Sequence, residues 1–132
     1  MGQQQLLLYT LGLLVAGAAI LVGIQKFNAS HQEASIEALT LDLADIAAKA
    51  QTYYYAPDFL AGGNHSFSNL TDLEKLFIKP QNENGEFKII SGNDDFLIIQ
   101  ATGKDDYDED GTNLTIEAKV YADSVQTEVV NY

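Results

Sequence analysis

The fold is decided by two consecutive stretches, Leu6–Ile24 (LLLYTLGLLVAGAAILVGI) and Ser30–Tyr55 (SHQEASIEALTLDLADIAAKAQTYYY). The first holds 19 residues without a charged side chain. A helix of this length extends for about 28 Å, close to the hydrocarbon thickness of a bilayer. A signal peptide is the competing interpretation, but Met1–Gln5 contains no Lys or Arg and no small-residue cleavage site is evident. We therefore interpret the first stretch as a helix able to cross a membrane.

The second stretch is amphipathic. Its apolar residues recur at intervals of three and four, which places them along one face of a helix, and its charged residues lie off that face. The apolar positions are Ile36, Leu39, Leu43, Ile46 and Ala50, and the charged positions are Glu33, Glu37, Asp45 and Lys49. No helix breaker occurs before Pro57, so the pattern predicts one nearly continuous helix from about Gln3 to about Tyr55.

Composition excludes several classes of site. The 132 residues carry a net charge of −12, seven lysines, no arginine and no cysteine. Without cysteine there is no disulfide, thiol nucleophile or zinc thiolate. The acidic excess argues against nucleic acid as a partner, because phosphate binding needs a concentrated positive surface. No nucleophile, base and orienting group converge in the sequence, so an enzyme is not expected.

The remainder predicts a small sheet behind an irregular connection. Thr71–Ile78 is expected to form a short helix capped by Thr71 or Asn69. Four alternating or apolar runs predict strands: Glu86–Ser91, Phe96–Thr102, Asn113–Ala122 and Val125–Asn131. Their short connections favour an antiparallel meander, and the apolar stripe of the long helix is the natural cover for its apolar face.

The predicted fold class is therefore α+β: a long hydrophobic-then-amphipathic helix packed on a four-stranded antiparallel sheet. Residues 1–30 are expected to form a protruding hydrophobic half-helix. Residues 31–132 are expected to form a globular head, divided into the amphipathic half-helix 31–55, a loop 56–85 and the sheet 86–132.

This architecture resembles the type IV pilin-like family of pilins, pseudopilins and archaeal relatives. At the start of the chain, Gly2 followed by Gln3 to Leu8 is similar to the family's glycine before the prepilin-peptidase cut, followed by a short polar stretch and the hydrophobic helix. The resemblance implies processing at Gly2, with maturation either before Met1 or after Gly2. It also implies basic leader residues upstream of Met1 in the gene.

The resemblance further implies a filament subunit that is held in the inner or cytoplasmic membrane before the pilus assembly machinery packs it with copies of itself. The implied assembly residues are Gln3, Gln4, Gln5, Leu6, Leu7, Leu8, Leu11, Leu13, Leu14, Val15, Ile20, Leu21 and Ile24. The family's early glutamate is absent, so we expect the three glutamines to set the register between subunits through amide hydrogen bonds. The small residues Gly12, Gly17 and Gly23 either allow close helix packing or are ordinary constituents of a membrane helix.

An acidic loop carries the spacing of a calcium site. Residues 106–117 fit the pattern D-x-D-x-D-G-x5-E, in which alternate carboxylates converge on one hard cation. The candidate ligands are Asp106, Asp108, Asp110, the carbonyl of Thr112, and Glu117. The alternative is a solvated acidic hairpin tip, where Asp and Gly are ordinary turn residues.

Four N-x-S/T sequons occur, at Asn28, Asn64, Asn69 and Asn113. Asn64 and Asn69 lie in the predicted surface loop and are the preferred glycosylation acceptors. Asn28 lies close to the hydrophobic helix, and Asn113 overlaps the acidic loop.

The sequence leaves two candidate functions. The first is a structural subunit of a type IV pilus-like filament at the cell surface, polymerising through its N-terminal helix. The alternative is a single-pass membrane-anchored domain that binds calcium and does not polymerise.

Overall fold

The first element is a long helix, α1, spanning Gly2–Tyr55 in a computed structural model that describes residues 2–132. Its 54 residues include no proline, and Pro57, two positions after its last residue, is the first residue unable to continue a helix. The prediction of one continuous helix ending near Tyr55 is confirmed.

Four antiparallel strands follow in the order β1-β2-β3-β4, as expected for a meander. They are β1 (Gly85–Gly92), β2 (Phe96–Gly103), β3 (Thr115–Tyr121) and β4 (Val125–Asn131). A bulge interrupts the register of β1 between Ile89 and Ser91. The third strand begins at Thr115 and not at the predicted Asn113, because Asn113 and Leu114 still belong to the preceding loop.

The core lies between α1 and the two central strands. In β2 every second residue is buried, the alternation expected of a sheet with one covered face. Leu39 and Leu43 of α1 are fully buried, and the Leu39 side chain reaches 3.4 Å from the position that a Cβ on Gly103 would occupy. Other core residues from the helix and the central strands are Ile46, Ala47, Ala50, Leu97, Ile99, Ala101, Ile116, Ala118 and Val120. The predicted α+β class and its helical cover layer are confirmed.

The chain divides into two compact units. One ends at Ala34, and the other is Ser35–Tyr132. The predicted boundary at residues 30 and 31 falls a few residues earlier, because Ser35 and Ile36 are the first partly buried pair on the helix.

The connection between α1 and β1 contains two short 3₁₀ helices, Asp58–Leu60 and Leu73–Leu76. The second replaces the longer helix predicted at Thr71–Ile78. Its cap is Asp72, whose side chain accepts a hydrogen bond from the backbone N–H of Lys75 at 3.2 Å. The expectation of Thr71 or Asn69 as the cap is therefore wrong. Phe77 ends the helix in the left-handed conformation (φ 58°), which stops further helical hydrogen bonding.

Candidate functional site

The apolar segment of α1 is the largest exposed hydrophobic surface among the described residues. Its large apolar side chains between Leu6 and Ile24 are 51–75% exposed. Soluble monomers rarely carry contiguous apolar patches of more than a few hundred Å². By length and composition α1 can span a membrane, although a signal sequence near an N-terminus passes the same test.

The glycines of this segment leave open space beside the helix. A Cβ added at Gly12, Gly17 or Gly23 would meet no atom of the chain within 4 Å. Glycine costs about 1 kcal/mol relative to alanine inside a helix. Packing within the single chain does not explain why that cost is accepted at these three positions.

The polar residues before the apolar segment are also exposed. Gly2 is the first residue of α1, and Gln3, Gln4 and Gln5 form its first turn beyond it. The predicted processing residue and the three predicted registry amides therefore lie together at one end of the helix. The remaining predicted assembly residues follow along the exposed apolar segment.

The acidic loop lies between β2 and β3 and brings three predicted ligands together. Asp106, Asp108 and Asp110 each offer a carboxylate oxygen, and these oxygens lie within 4.8 Å of one another. The loop is folded by its own side chains. The backbone N–H of Gly111 donates to Asp106 Oδ2 at 2.8 Å, and that of Thr112 donates to Asp110 Oδ1 at 2.8 Å.

One oxygen of this cluster lacks a partner. Asp106 Oδ1 is buried and makes no hydrogen bond to any atom of residues 2–132. A buried carboxylate oxygen without a donor loses the hydration that it has in water. A cation bound among the three carboxylates would supply the missing partner.

Within the cluster, the pKa values of Asp106 and Asp108 are shifted in opposite directions. Desolvation raises the pKa of both Asp106 and Asp108. For Asp106, hydrogen bonds, above all from the Gly111 N–H, outweigh desolvation and hold the pKa below its ordinary value. For Asp108, desolvation, the Asp106 carboxyl and repulsion from Asp110 keep the pKa above its ordinary value. Two neighbouring carboxylates thus resist ionising together.

The two other predicted ligands are placed differently. Glu117 lies in β3, where it accepts a hydrogen bond from Gln100 Nε2 at 3.3 Å, and it is not part of the three-carboxylate cluster. In an EF-hand the chain after the loop is helical, whereas here it is extended from Thr115, so the spacing does not return Glu117 to the loop. The carbonyl of Thr112 accepts a hydrogen bond from Asn131 Nδ2 at 3.1 Å.

Two residues that hold the loop were not identified from the sequence. Tyr107 Oη lies 2.7 Å from Ser35 Oγ on α1, and Asn131 of β4 contacts both Asp110 and Thr112. Hydroxyl and amide groups so distant along the chain leave no local sequence signal of their contact.

The preferred sequons lie in exposed positions. Asn64 and Asn69 are exposed in the connection between α1 and β1, as predicted. Asn113 is partly buried, and its Nδ2 donates to the Gly103 carbonyl at 3.1 Å.

Comparison with protein-family models, curated proteins and solved structures finds no match to the chain.

Proposed function

We propose that this protein is the structural subunit of a type IV pilus-like filament, which polymerises by packing its N-terminal apolar helix against the helices of identical copies. The observation that carries the proposal is the exposure of every large apolar side chain from Leu6 to Ile24 on a helix that also supplies the core of the head. Before assembly the same surface is covered by lipid, and afterwards by neighbouring helices.

The continuity of α1 favours this function over a removed signal sequence. The helix runs from Gly2 to Tyr55 without interruption, and its later residues Leu39 and Leu43 are fully buried in the head. A signal peptide is a separate segment with an apolar core of about 7–15 residues. The continuity of the apolar segment with the helix that supplies Leu39 and Leu43 to the core supports its retention in the mature protein.

Small residues favour association of helices over simple anchoring. Helices transferred from lipid to a bundle gain little hydrophobic free energy, so close packing must drive their association. Gly12 and Gly23, on one face of α1, leave the backbone accessible, which allows neighbouring helices to approach there. Gln3, Gln4 and Gln5 are available to bond between subunits without burying a charge.

The same proposal implies where the protein resides in the cell. The protein resides in the inner or cytoplasmic membrane until assembly machinery transfers it to a filament at the cell surface, with the acidic heads outside. A net charge of −12 keeps such heads soluble and well hydrated.

The test is assembly of the purified full chain. The protein is extracted in detergent, the detergent is removed, and the product is examined by negative-stain electron microscopy. We expect uniform filaments from wild type and none from Leu13→Lys, which places a charge in the apolar segment. Leu41→Lys is the matched control, because it introduces the same charge on the same helix at a residue that is 71% exposed, close to the 75% of Leu13. Wild-type chains that remain dispersed or associate only with lipid contradict the proposal.

A second function, calcium binding by the acidic loop, is favoured by the buried and unpartnered Asp106 Oδ1. This function holds for a filament subunit and equally for the alternative, a membrane-anchored domain that does not polymerise. Three carboxylates would hold the ion, with water completing its shell of six to eight oxygens.

Calorimetric titration of the full chain in detergent tests this second function. We expect heat of binding with calcium, and a rise in the free energy of unfolding of about 2.7 kcal/mol at a calcium concentration 100 times Kd. Asp108→Asn should weaken binding, whereas Asp95→Asn, in an acidic turn elsewhere, should not. Identical titrations for wild type and Asp108→Asn would reject the site.

A further inference from the structure

The four sequons differ in whether their asparagine side chains are accessible. Asn113 Nδ2 is already a donor to the Gly103 carbonyl, and the hydroxyl of its sequon residue Thr115 donates to the Asn113 carbonyl at 2.9 Å. Thr115 is itself buried. Asn28 lies within α1, close to the apolar segment that the proposed function packs against lipid or other helices. The Asn113 side chain is therefore engaged within the head, and a glycan on Asn28 would compete with the neighbouring helices of the proposed filament.

Asn69 is presented by a tight turn. The backbone N–H of Leu70 donates to the carbonyl of Phe67 at 3.0 Å, so Ser68 and Asn69 are the two central residues of the turn. Phe67 and Leu70 are 0% and 1% exposed. These two buried side chains fix the turn on the head and direct its central residues to solvent, where Asn69 is exposed.

The third sequon residue distinguishes Asn69 from Asn64. Thr71 is exposed, and its hydroxyl makes no hydrogen bond within the part of the chain that the structure describes. In the Asn64 sequon, Ser66 Oγ donates to Asp94 Oδ1 at 2.6 Å and lies 2.8 Å from Ser68 Oγ. The sequon requires this hydroxyl for recognition. The Thr71 hydroxyl of the Asn69 sequon is therefore accessible, whereas the Ser66 hydroxyl of the Asn64 sequon is already hydrogen-bonded.

We propose that Asn69 is the acceptor of an N-linked glycan. The inference depends on the proposed extracytoplasmic placement of the head, where it would meet a lipid-linked oligosaccharide donor. In the transfer, Asn69 Nδ2 forms a bond to the anomeric carbon of the first sugar, and the bond from that carbon to the lipid phosphate oxygen breaks. The lipid phosphate leaves with the electron pair of that bond, and the amide gives up one proton. No atom changes oxidation state overall.

Mass spectrometry of the protein isolated from its own cells tests the assignment. Cleavage after aromatic residues separates the Asn64 and Asn69 sequons, because Phe67 lies between them and Phe77 follows. We expect the peptide Ser68–Phe77 to carry added hexose or related sugar mass on Asn69. Recovery of this peptide only in its unmodified form overturns the proposal.

Three variants expressed in the same cells separate recognition from folding. Thr71→Ala should lose all of the glycan mass on Asn69, whereas Thr71→Ser, which retains the hydroxyl, should keep it. Ser66→Ala should leave the Asn69 glycan in place. Retention of the glycan in Thr71→Ala, confirmed as folded by its thermal melt, overturns the assignment. Filament formation is scored separately by microscopy, so an unglycosylated filament contradicts only this inference, and a glycosylated protein without filaments contradicts only the proposed function.

Discussion

The hydroxyl groups of Tyr107 and Ser35 lie 2.7 Å apart, although the two residues are 72 positions apart along the chain. Their hydrogen bond links the acidic loop to α1, on the head side of the boundary after Ala34. The loop that gathers three carboxylates is thus held by the same helix that supplies the core of the head.

Tyr107→Phe removes this contact and leaves the aromatic ring in place. The variant also loses the long 3.5 Å hydrogen bond from the Tyr107 hydroxyl to Asp105 Oδ2, and together these losses are expected to lower the free energy of unfolding by about 1 kcal/mol. It should also weaken calcium binding, because a less constrained loop must be ordered when the ion binds. Denaturation and calcium titration of the same variant measure the two effects. Unchanged stability and unchanged affinity would show that the contact does not order the loop.

The long helix and the meander could be predicted from the sequence because each depends on local patterns. The spacing of Leu39, Leu43 and Ile46 reveals the buried face of α1, and all three are buried. The cap of the short 3₁₀ helix was misplaced because several polar residues precede Leu73, and only Asp72 has the geometry to accept from Lys75. Local spacing reports which residues share a face, but it does not choose among neighbouring hydrogen-bond acceptors.

The candidate site was predictable only where it is local. Asp106, Asp108 and Asp110 converge because alternate residues of one loop are close in space. Glu117 does not join them, since its position depends on whether the chain leaves the loop as a helix or as a strand. The contacts of Tyr107 with Ser35 and of Asn131 with Asp110 arise from tertiary packing, which no motif encodes.

Gly63→Ala should destabilise the head. A Cβ at Gly63 would lie 2.1 Å from the Ser66 carbonyl oxygen and 2.8 Å from the Tyr53 ring. Because backbone cannot move aside as a flexible side chain can, we expect a loss of about 2 kcal/mol or more in the free energy of unfolding. Ala61→Gly, in the same loop, is the control. Ala61 has φ 59°, which glycine adopts without strain, so its stability should change by less than about 1 kcal/mol. Equal denaturation midpoints for wild type and Gly63→Ala would contradict the packing described.

The free energy of unfolding of the head should fall at high pH, because the Tyr53 hydroxyl ionises there. Desolvation, reinforced by the Asp58 carboxylate, raises the pKa of Tyr53 above its ordinary value. A raised pKa in the folded state stabilises the protein fully below the unfolded value of about 10, and this contribution is lost as pH rises through the folded value.

The measurement compares wild type with Tyr53→Phe by chemical denaturation from pH 8 upward. The difference in stability between the two should change above about pH 10, with wild type losing more. The exposed neighbour Tyr55 provides the control variant Tyr55→Phe, which is expected to follow wild type. Parallel pH profiles for wild type and Tyr53→Phe would exclude this role for the hydroxyl.

Gly12→Leu tests whether α1 associates with other helices or serves only as an anchor. At 100° per residue, Gly12, Ala16, Ala19 and Gly23 share one face of the helix, and Gly17 lies on another. Neither Gly12 nor Gly17 has an atom of the chain within 4 Å of an added Cβ, so leucine at either position leaves the single chain unstrained.

Both variants also increase apolar surface, and membrane insertion measured by flotation with liposomes should be retained in both. Filament formation should be lost in Gly12→Leu, because the side chain blocks close approach of a neighbouring helix on the small-residue face. It should persist in Gly17→Leu. Filaments of normal yield from Gly12→Leu would mean that the small-residue face does not form the contact between subunits.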